Sequence, residues 1–225
     1  MITFSGVSKR YLSESGGIFD FSAQIQDNEF VFLVGPSGAG KTTLLRLLLR
    51  ELVPDEGEVL IEDQVISSNN FKDLPILRRS IGMIFQDCRV LPDKTVFENV
   101  ALALEIASLP DSQIRSETME ALQQVGLAEK MNQYPTQLSA GELQRTTIAR
   151  SIIGNRHIIL ADEPTGNLDP ATAWEIMKIF KSLEGSKTII IATHNAEIVN
   201  TMKKRVISLK DGRMVKDKKL GTYEL

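Results

Sequence analysis

The fold of this chain is decided by the stretch Gly35-Pro36-Ser37-Gly38-Ala39-Gly40-Lys41-Thr42-Thr43. This stretch follows the apolar run 30–34 and precedes the leucine-rich run 44–49, so it joins a buried strand to the start of a helix. Its three glycines let the backbone bend until successive N–H groups point at one anion. The helix N-terminus adds about half a positive charge at the same place. The pattern is typical of a phosphate-binding loop.

Two residues of the phosphate-binding loop, defined here as residues 35–43, have the chemistry that a nucleoside triphosphate needs. Lys41 is expected to reach the β- and γ-phosphates, and the hydroxyl of Thr42 is expected to bind Mg²⁺. The alternative is a glycine-rich turn that only connects a strand to a helix. The Lys-Thr pair and the two flanking runs favour the first interpretation, so the sequence predicts that all nine residues of the loop bind a nucleoside triphosphate.

Length and composition are those of an ordinary globular domain. The chain has 225 residues, of which 42% are hydrophobic and 24% are charged. Its longest apolar runs have about six residues, far below the roughly 18 of a membrane span. Residues 1–10 lack the apolar core of a signal peptide. The single cysteine, Cys88, excludes an internal disulfide framework. We therefore expect a cytoplasmic protein.

Charge is distributed unevenly along the chain. A net charge of −3 argues against a surface that binds nucleic acid broadly. The segment 203–219, however, contains eight Lys or Arg residues against two Asp residues, which gives it a charge of +6. Two interpretations remain open for this segment: a solvated basic tail, or a contact with an anionic membrane surface.

Strands and helices alternate around the phosphate-binding loop, which predicts an α/β fold with a P-loop NTPase core and a parallel sheet. Residues 2–11 predict an edge strand, and residues 18–25 predict a strand of an antiparallel edge sheet. The other predicted elements are a turn at 54–57, a strand at 58–61, a helix at 73–79, strands at 81–85, 158–161 and 188–193, a helix opening at Pro170 and a hairpin turn at Asp211-Gly212.

From about residue 95 to residue 153 the apolar spacing becomes helical. Phe97, Val100 and Leu104 share one helix face, for example. Because this block interrupts the alternation of strands and helices, we predict an inserted helical subdomain. The predicted organisation is a single domain over 1–225, in which 1–86 and 154–225 form a catalytic core with an antiparallel β edge subdomain and 87–153 form the helical subdomain.

Two carboxylates follow the apolar run 158–161. Asp162, at the end of the predicted strand, is suited to bind Mg²⁺ directly or through a water. Glu163, one residue further, could polarise a water aimed at the γ-phosphate. An Asp-Glu pair after a strand can also be a solvated turn, but a phosphate-binding loop on the same chain favours the catalytic interpretation.

A second candidate anion site begins at Leu138-Ser139-Ala140-Gly141-Glu142. Ser139 as N-cap and Glu142 three residues later make a capping box, which alone explains these two residues. A capping box does not explain Gly141, which costs about 1 kcal/mol relative to Ala inside a helix. We therefore interpret this helix start as a second place where backbone N–H groups meet an anion.

Taken in order, these motifs resemble those of the nucleotide-binding subunits of ABC-type ATPases over nearly the whole chain. The family signature is Leu-Ser-Gly-Gly-Gln, and residues 138–142 depart from it at Ala140 and Glu142. The resemblance implies a Q-loop glutamine at Gln86, a D-loop at 167–169 that contains Asp169, a switch histidine at His194 and an adenine-stacking aromatic residue at Tyr11. Taken alone, Gln86 and Asp169 would be ordinary loop residues, and Tyr11 an aromatic residue at the core edge. Asn195 is a departure, because the family usually has Asp after the histidine.

The resemblance also implies a mechanism with ATP and Mg²⁺ as cofactors. ATP would close a head-to-tail homodimer, in which each ATP lies between the phosphate-binding loop of one copy and residues 139–141 of the other. Glu163 would be the general base, His194 would position the water and the γ-phosphate, and Gln86 would link the Mg²⁺ site to the helical subdomain. Outside the loop, the implied ATP contacts are Tyr11, Ser139, Ala140, Gly141, Glu142 and Asp169, and the implied metal contacts are Thr42, Gln86 and Asp162.

The stretch 160–169 resembles the branch that serves cell-division, lipoprotein-release and macrolide-efflux complexes. Within this branch, residues 30–40, 48–51 and 85–101 resemble the cell-division ATPases most. This finer resemblance implies a peripheral subunit on the inner face of the cell membrane, with an FtsX-like integral membrane partner and a cell-wall hydrolase activated in consequence. It places the docking cleft at residues 87–97, with apolar surface from Cys88, Val90, Leu91 and Phe97 and charge from Arg89 and Lys94. The apolar residues could instead pack the subdomain interior.

Two alternative functions remain. An exporter or lipoprotein-release ATPase of the same branch would share every site residue. A soluble ABC ATPase acting on DNA or ribosomes is disfavoured, because the sequence has no long coiled coil, second phosphate-binding loop or broadly basic face. We expect no nucleic-acid partner.

Overall fold

A six-stranded sheet forms the centre of the computed structural model, which describes residues 1–11 and 16–224. Its strands are β3 (Phe30–Val34), β6 (Ile81–Ile84), β7 (Ile158–Asp162), β8 (Thr188–Thr193), β9 (Arg205–Lys210) and β10 (Arg213–Lys218), in the spatial order β10-β9-β3-β8-β7-β6. Neighbouring strands are parallel, except β9 and β10, which form an antiparallel hairpin. The predicted α/β fold with a parallel sheet is confirmed.

A second, antiparallel sheet packs beside the first. It contains β1 (Ile2–Arg10), β2 (Gly17–Ile25), β4 (Glu56–Ile61) and β5 (Gln64–Val65), in the order β2-β1-β4-β5. The prediction of residues 2–11 as an edge strand was wrong, because β1 pairs with β2 on one side and β4 on the other. The predicted strand at 58–61 begins two residues earlier, at Glu56, because Ser8 of β1 still pairs with that residue.

Seven helices surround the sheets in the described part of the chain: α1 (Lys41–Leu48), α2 (Leu74–Ser80), α3 (Val96–Ile106), α4 (Asp111–Gln124), α5 (Ala140–Ile152), α6 (Pro170–Ser182) and α7 (Ala196–Met202). Capping boxes begin α3 at Thr95 and α5 at Ser139, as a hydroxyl followed three residues later by Glu predicts. The sequence did not predict α7. That helix has only seven residues, and its N-cap Asn195 accepts a hydrogen bond from the N–H of Ile198.

Two layers of apolar side chains bury both faces of the central sheet. On β3, Phe30, Phe32 and Val34 pack with α3, α4, α5 and α6, whereas Val31 and Leu33 pack with α1 and the antiparallel sheet. Helices α3, α4 and α5 follow β6 and precede β7 in the chain. The division into a catalytic core and an inserted helical subdomain over 87–153 stays a prediction.

The basic segment 203–219 is not the solvated tail that was one of its two interpretations. It forms the hairpin of β9 and β10, and β9 lies beside β3 in the central sheet. Arg205 donates to carboxylate oxygens of Glu29 at 3.0 Å and Asp217 at 2.7 Å. Lys204 pairs with Glu184, and Lys216 and Lys218 pair with Glu224. Half of the eight cations are therefore neutralised within the fold. In the described ranges, no helix has the length and apolarity needed to cross a membrane.

Candidate active site

Four parallel strands bring the predicted site residues to one edge of the sheet. The phosphate-binding loop follows β3, Asp162 ends β7, His194 follows β8, and Gln86 is the second residue after β6. Since β3, β8, β7 and β6 are successive neighbours in the sheet, their carboxyl ends meet there. Ligands of open α/β sheets bind at this edge.

The glycines of the phosphate-binding loop are required by both backbone geometry and packing. Gly38 and Gly40 have φ angles of 79° and 100°, in the left-handed region that side chains rarely adopt. A Cβ atom at Gly40 would also clash with the side chain of Ile18, and one at Gly35 with the carbonyl oxygen of Leu209. At Gly35 the obstacle is the backbone of β9, whereas at Gly40 the Ile18 side chain can turn away and the positive φ is the stronger constraint.

The ammonium group of Lys41 lies underneath the loop. Its Nζ donates to the carbonyl oxygens of Gly35 at 2.7 Å and Pro36 at 3.1 Å, and it lies 3.9 Å from Oε1 of Glu163. Burial lowers the pKa of Lys41, against the opposing effect of the Glu163 and Asp162 carboxylates. The loop therefore holds a desolvated cation whose present partners are mainly carbonyl groups, which a phosphate could replace.

Thr42 and Asp162 are in direct contact. The hydroxyl of Thr42 donates to Oδ2 of Asp162 at 2.7 Å, and burial raises the pKa of this carboxyl. Within the described residues, no group of three or more His, Cys, Asp or Glu side chains could hold a metal by itself. Mg²⁺ typically takes one or two protein oxygen ligands and completes its shell with phosphate oxygens and waters. A hydroxyl and a carboxylate side by side fit that requirement.

Glu163 and His194 form the second pair of the site. Nδ1 of His194 lies 2.7 Å from Oε1 of Glu163, and the backbone N–H of His194 donates to Oε2 at 3.3 Å. Glu163 itself has a φ of 46°, a left-handed conformation that is costly for a residue other than glycine and that often occurs at functional sites. The carboxylate is thus fixed between Lys41 and an exposed imidazole.

Gln86 and Tyr11 lie at the borders of this group. Gln86 lines a cleft of about 500 Å³ that also contains Thr42, Asp162 and Arg89. The hydroxyl of Tyr11 lies 3.2 Å from Oγ1 of Thr43, so the ring is next to the phosphate-binding loop and more than a third exposed. The chain from 12 to 15, directly after Tyr11, lies outside the described residues. The assigned roles of both side chains stay predictions.

The remaining predicted contacts form a separate cluster. Asp169 caps α6 by accepting from the N–H groups of Ala171 and Thr172, and the hydroxyl of Thr172 donates to Oδ2 of Asp169 at 2.6 Å. Thr172 in turn packs against Gly141, near the start of α5. In the part of the chain that the structure describes, no hydrogen bond or ion pair joins residues 139–142 to the phosphate-binding loop.

Packing against α6 requires a glycine at position 141. A Cβ atom at this position would clash with Cγ2 of Thr172. The glycine is therefore explained without an anion, and its presence alone no longer supports an anion site. Thr172 and Lys130, which lies 2.5 Å from Glu142, were both missed. Neither belongs to a local motif, because each meets its partner through the tertiary fold.

Asn195, the departure after His194, has a structural role. As the N-cap of α7 it accepts from the N–H of Ile198 at 3.1 Å. Asn and Asp cap helices about equally well, so either residue fits this position.

Comparisons with known proteins find a matching family and full-length relatives. A family model described as "ABC transporter" matches residues 18–166. The chain is 47% identical over 224 residues to the Cell division ATP-binding protein FtsE of Bacillus subtilis (strain 168), covering 99% of this chain and 98% of that protein. It is 40% identical over 215 residues to the protein of the same name from Escherichia coli (strain K12), covering 95% and 97%.

Solved structures lead to the same family. A dimeric post-hydrolysis state of the ATP-binding cassette MJ0796, bound to ADP and Pi, has a TM-score of 0.86 and 34% identity, covering 99% of this chain and 100% of that one. The protein cbiO1 of Clostridium perfringens, part of the ABC transporter complex cbiONQ, has a TM-score of 0.88 and 28% identity, covering 97% and 88%. The family match, the full-length relatives and the arrangement around Lys41 lead to one conclusion: the chain belongs to the ABC transporter family and is an ATP-binding ATPase.

Proposed function

We propose that this chain is the ATP-hydrolysing subunit of a membrane complex in bacterial cell division, with an FtsX-like integral membrane partner. In this proposal, ATP-driven closure of a homodimer activates a cell-wall hydrolase, and the chain lies on the inner face of the cell membrane. The contact between Glu163 and His194 beside Lys41 carries the catalytic part of the proposal. Relatives named FtsE, 40% to 47% identical over nearly the full length, support the cellular role.

The catalytic cycle follows from the contacts at the sheet edge. Lys41 exchanges loop carbonyls for the β- and γ-phosphates of ATP. Mg²⁺, held by Thr42 and Asp162 with Gln86 nearby, would neutralise phosphate charge. An oxygen of the Glu163 carboxylate accepts a proton from the attacking water, and the imidazole of His194 keeps that carboxylate oriented. General-base catalysis of this kind contributes about 10² to 10⁴ in rate.

A homodimer brings the two separate clusters onto one nucleotide. Residues 139–142 and Asp169 form no hydrogen bond or ion pair with the phosphate-binding loop of their own chain, within the described ranges. In a head-to-tail dimer each copy would offer the start of α5 to the ATP held by the other. The solved relative MJ0796, which is 34% identical, is itself described as dimeric and bound to ADP and Pi.

Lys41→Ala is expected to weaken ATP binding by about 100-fold or more, because it removes a charge-assisted contact with two phosphates. Binding is measured by titration calorimetry at constant salt. Lys187→Ala is the matched control. Lys187 is also a lysine with a pKa lowered by burial, and it also donates to a carbonyl oxygen, that of Arg156 at 2.6 Å, but away from the loop. Equal ATP affinity of the two variants would contradict a phosphate contact by Lys41.

We place the membrane partner's docking site next to Gln86, at the loop that starts with Asp87. Two residues named for this surface point inward instead: Phe97 packs against the core, and Sγ of Cys88 donates to Oε1 of Gln144 at 2.9 Å. Leu91 is 38% exposed and Arg89 is exposed, so both remain available to a partner. Arg89 also lines the cleft that contains Gln86 and Asp162, which connects the proposed docking site with the nucleotide site.

Arg89→Glu is expected to reduce recruitment to membranes by about fivefold, since charges at the rim of an interface act mainly on association. ATP affinity should change much less than recruitment does, because the carbonyl oxygen of residue 89 still accepts from Nη2 of Arg150, 2.5 Å away, and keeps the loop in place. Cell fractionation measures recruitment, and Arg115→Glu, an exposed charge reversal on α4, is the control. Equal membrane association of both variants would remove Arg89 from the docking site.

The same cells identify the partner. A pull-down from detergent-solubilised membranes is expected to recover an FtsX-like protein with the parent chain and less of it with Arg89→Glu. Recovery of an exporter or lipoprotein-release permease would contradict the cell-division role. It would not contradict the conclusion that the chain is an ATPase. No observation favours a role on nucleic acid.

A further inference from the structure

Glu142 creates an electrostatic problem for the proposed nucleotide contact. It is the third residue of α5, and its Oε2 accepts from the N–H of Ser139 at 2.9 Å in the capping box. A helix N-terminus supplies about half a positive charge. A full carboxylate charge in the first turn more than cancels it. Taken by itself, the start of α5 would repel the phosphates of an ATP held by the second copy.

Protonation of Glu142 does not remove this repulsion. The ion pair with Lys130, together with the hydrogen bond from the Ser139 backbone, lowers the pKa of Glu142. The side chain therefore remains an anion at neutral pH and above. The compensation has to come from a neighbouring cation.

Lys130 is the cation in position to compensate. Its Nζ lies 2.5 Å from Oε1 of Glu142, whose side chain is only 15% exposed. Nη2 of Arg145 lies further from the same oxygen, at 4.0 Å, and its Nη1 donates to Glu175 at 3.0 Å. The positive charge of Lys130 cancels the negative charge of Glu142. The partial charge of the helix N-terminus then leaves the start of α5 with a net positive charge of about one half.

We infer that Lys130 is an electrostatic part of the trans ATP site: it neutralises Glu142, so that the start of α5 attracts the γ-phosphate of the ATP bound to the second copy. This inference rests on the proposed function, since it requires that residues 139–142 meet a nucleotide in the dimer. Lys130 acts through Glu142 and is a positioning residue. The competing explanation is an ion pair that only ties residues 128–130 to α5.

Charge removal at the two positions separates these explanations. The variants are Lys130→Gln, Glu142→Gln, the double variant and Lys130→Arg, each made in the full chain. Gln at position 142 preserves the capping box, which accepts either Glu or Gln. For each variant we measure the ATP concentration at half-maximal hydrolysis, the maximal rate and the temperature of unfolding.

Lys130→Gln is expected to raise the half-maximal ATP concentration about five- to tenfold, the order of one unit charge at a partly exposed site near a phosphate. Glu142→Gln alone should lower the half-maximal ATP concentration, because the positive charge of Lys130 is then no longer neutralised by a carboxylate. The double variant should return to within about twofold of the parent, and Lys130→Arg should rescue most of the loss. An ion pair with a purely structural role predicts otherwise: both single variants would lower the unfolding temperature, and the second substitution would not restore the ATP requirement.

An unchanged ATP requirement in Lys130→Gln, or a double variant no better than Lys130→Gln, would overturn the inference. The proposed function fails in a different way. If Gly141→Asp, made in a Thr172→Ser background that gives the new side chain room, hydrolyses ATP at the rate of that background, residues 139–142 do not meet nucleotide. If that variant is inactive while Lys130→Gln behaves as the parent, only the role of Lys130 is wrong.

Discussion

Glu163→Gln is expected to stop ATP turnover while ATP stays bound, so that the variant accumulates as an ATP-bound homodimer. Gln has the size of Glu and can still bond to Nδ1 of His194, which lies 2.7 Å from the present carboxylate. An amide cannot take a proton from water, so the rate should fall by about 10² to 10⁴. ATP affinity should not fall, because the phosphate contacts come from Lys41 and the loop backbone.

Size-exclusion chromatography with ATP and Mg²⁺ measures the dimer. Combining the change with Lys41→Ala should remove the dimer at ATP concentrations that just saturate Glu163→Gln, because the double variant binds ATP much more weakly. Glu184→Gln is the matched control, since Glu184 pairs with Lys204 away from the sheet edge. This control should hydrolyse ATP as the parent does and should not accumulate as a dimer. If Glu163→Gln remains monomeric at saturating ATP, the ATP-bound homodimer is wrong.

The fold could be predicted where it depends on short-range patterns. The apolar runs 30–34, 158–161 and 188–193 each correspond to a buried strand, because a parallel sheet covered on both faces needs continuous hydrophobic runs. Strand order depends on pairing between distant segments. The placement of β1 between β2 and β4 therefore could not be read from residues 2–11.

The site residues also fall into two groups, those that belong to a local sequence pattern and those that meet only through the tertiary fold. The phosphate-binding loop and the pair Asp162–Glu163 are local patterns next to strands, and their side chains meet in the structure. Thr172 and Lys130 become relevant only through contacts with Gly141 and Glu142, which lie 31 and 12 residues away in the sequence. No spacing rule connects such residues. The sequence therefore predicted which residues meet around the phosphate-binding loop, and it predicted only part of the second cluster.

Gly141→Asp should abolish ATP hydrolysis, by repelling the γ-phosphate that the second copy presents. A single substitution does not isolate this effect, because any side chain at position 141 clashes with Cγ2 of Thr172. Loss of activity could then come from displacement of α5 against α6. A background in which the clash is absent is required.

Thr172→Ser provides that background. Ser lacks the clashing methyl group but keeps the hydroxyl that donates to Asp169, 2.6 Å away in the parent. In this background Gly141→Ala should slow hydrolysis by no more than about threefold, since Ala gains up to about 1 kcal/mol of helix propensity over Gly. Gly141→Asp should be slower by at least about 100-fold, because a second anion in the first turn of α5 opposes the γ-phosphate directly. The measurements are the steady-state ATPase rates and the unfolding temperatures of both variants. Equal rates for Gly141→Ala and Gly141→Asp would show that charge at this helix start has no part in hydrolysis.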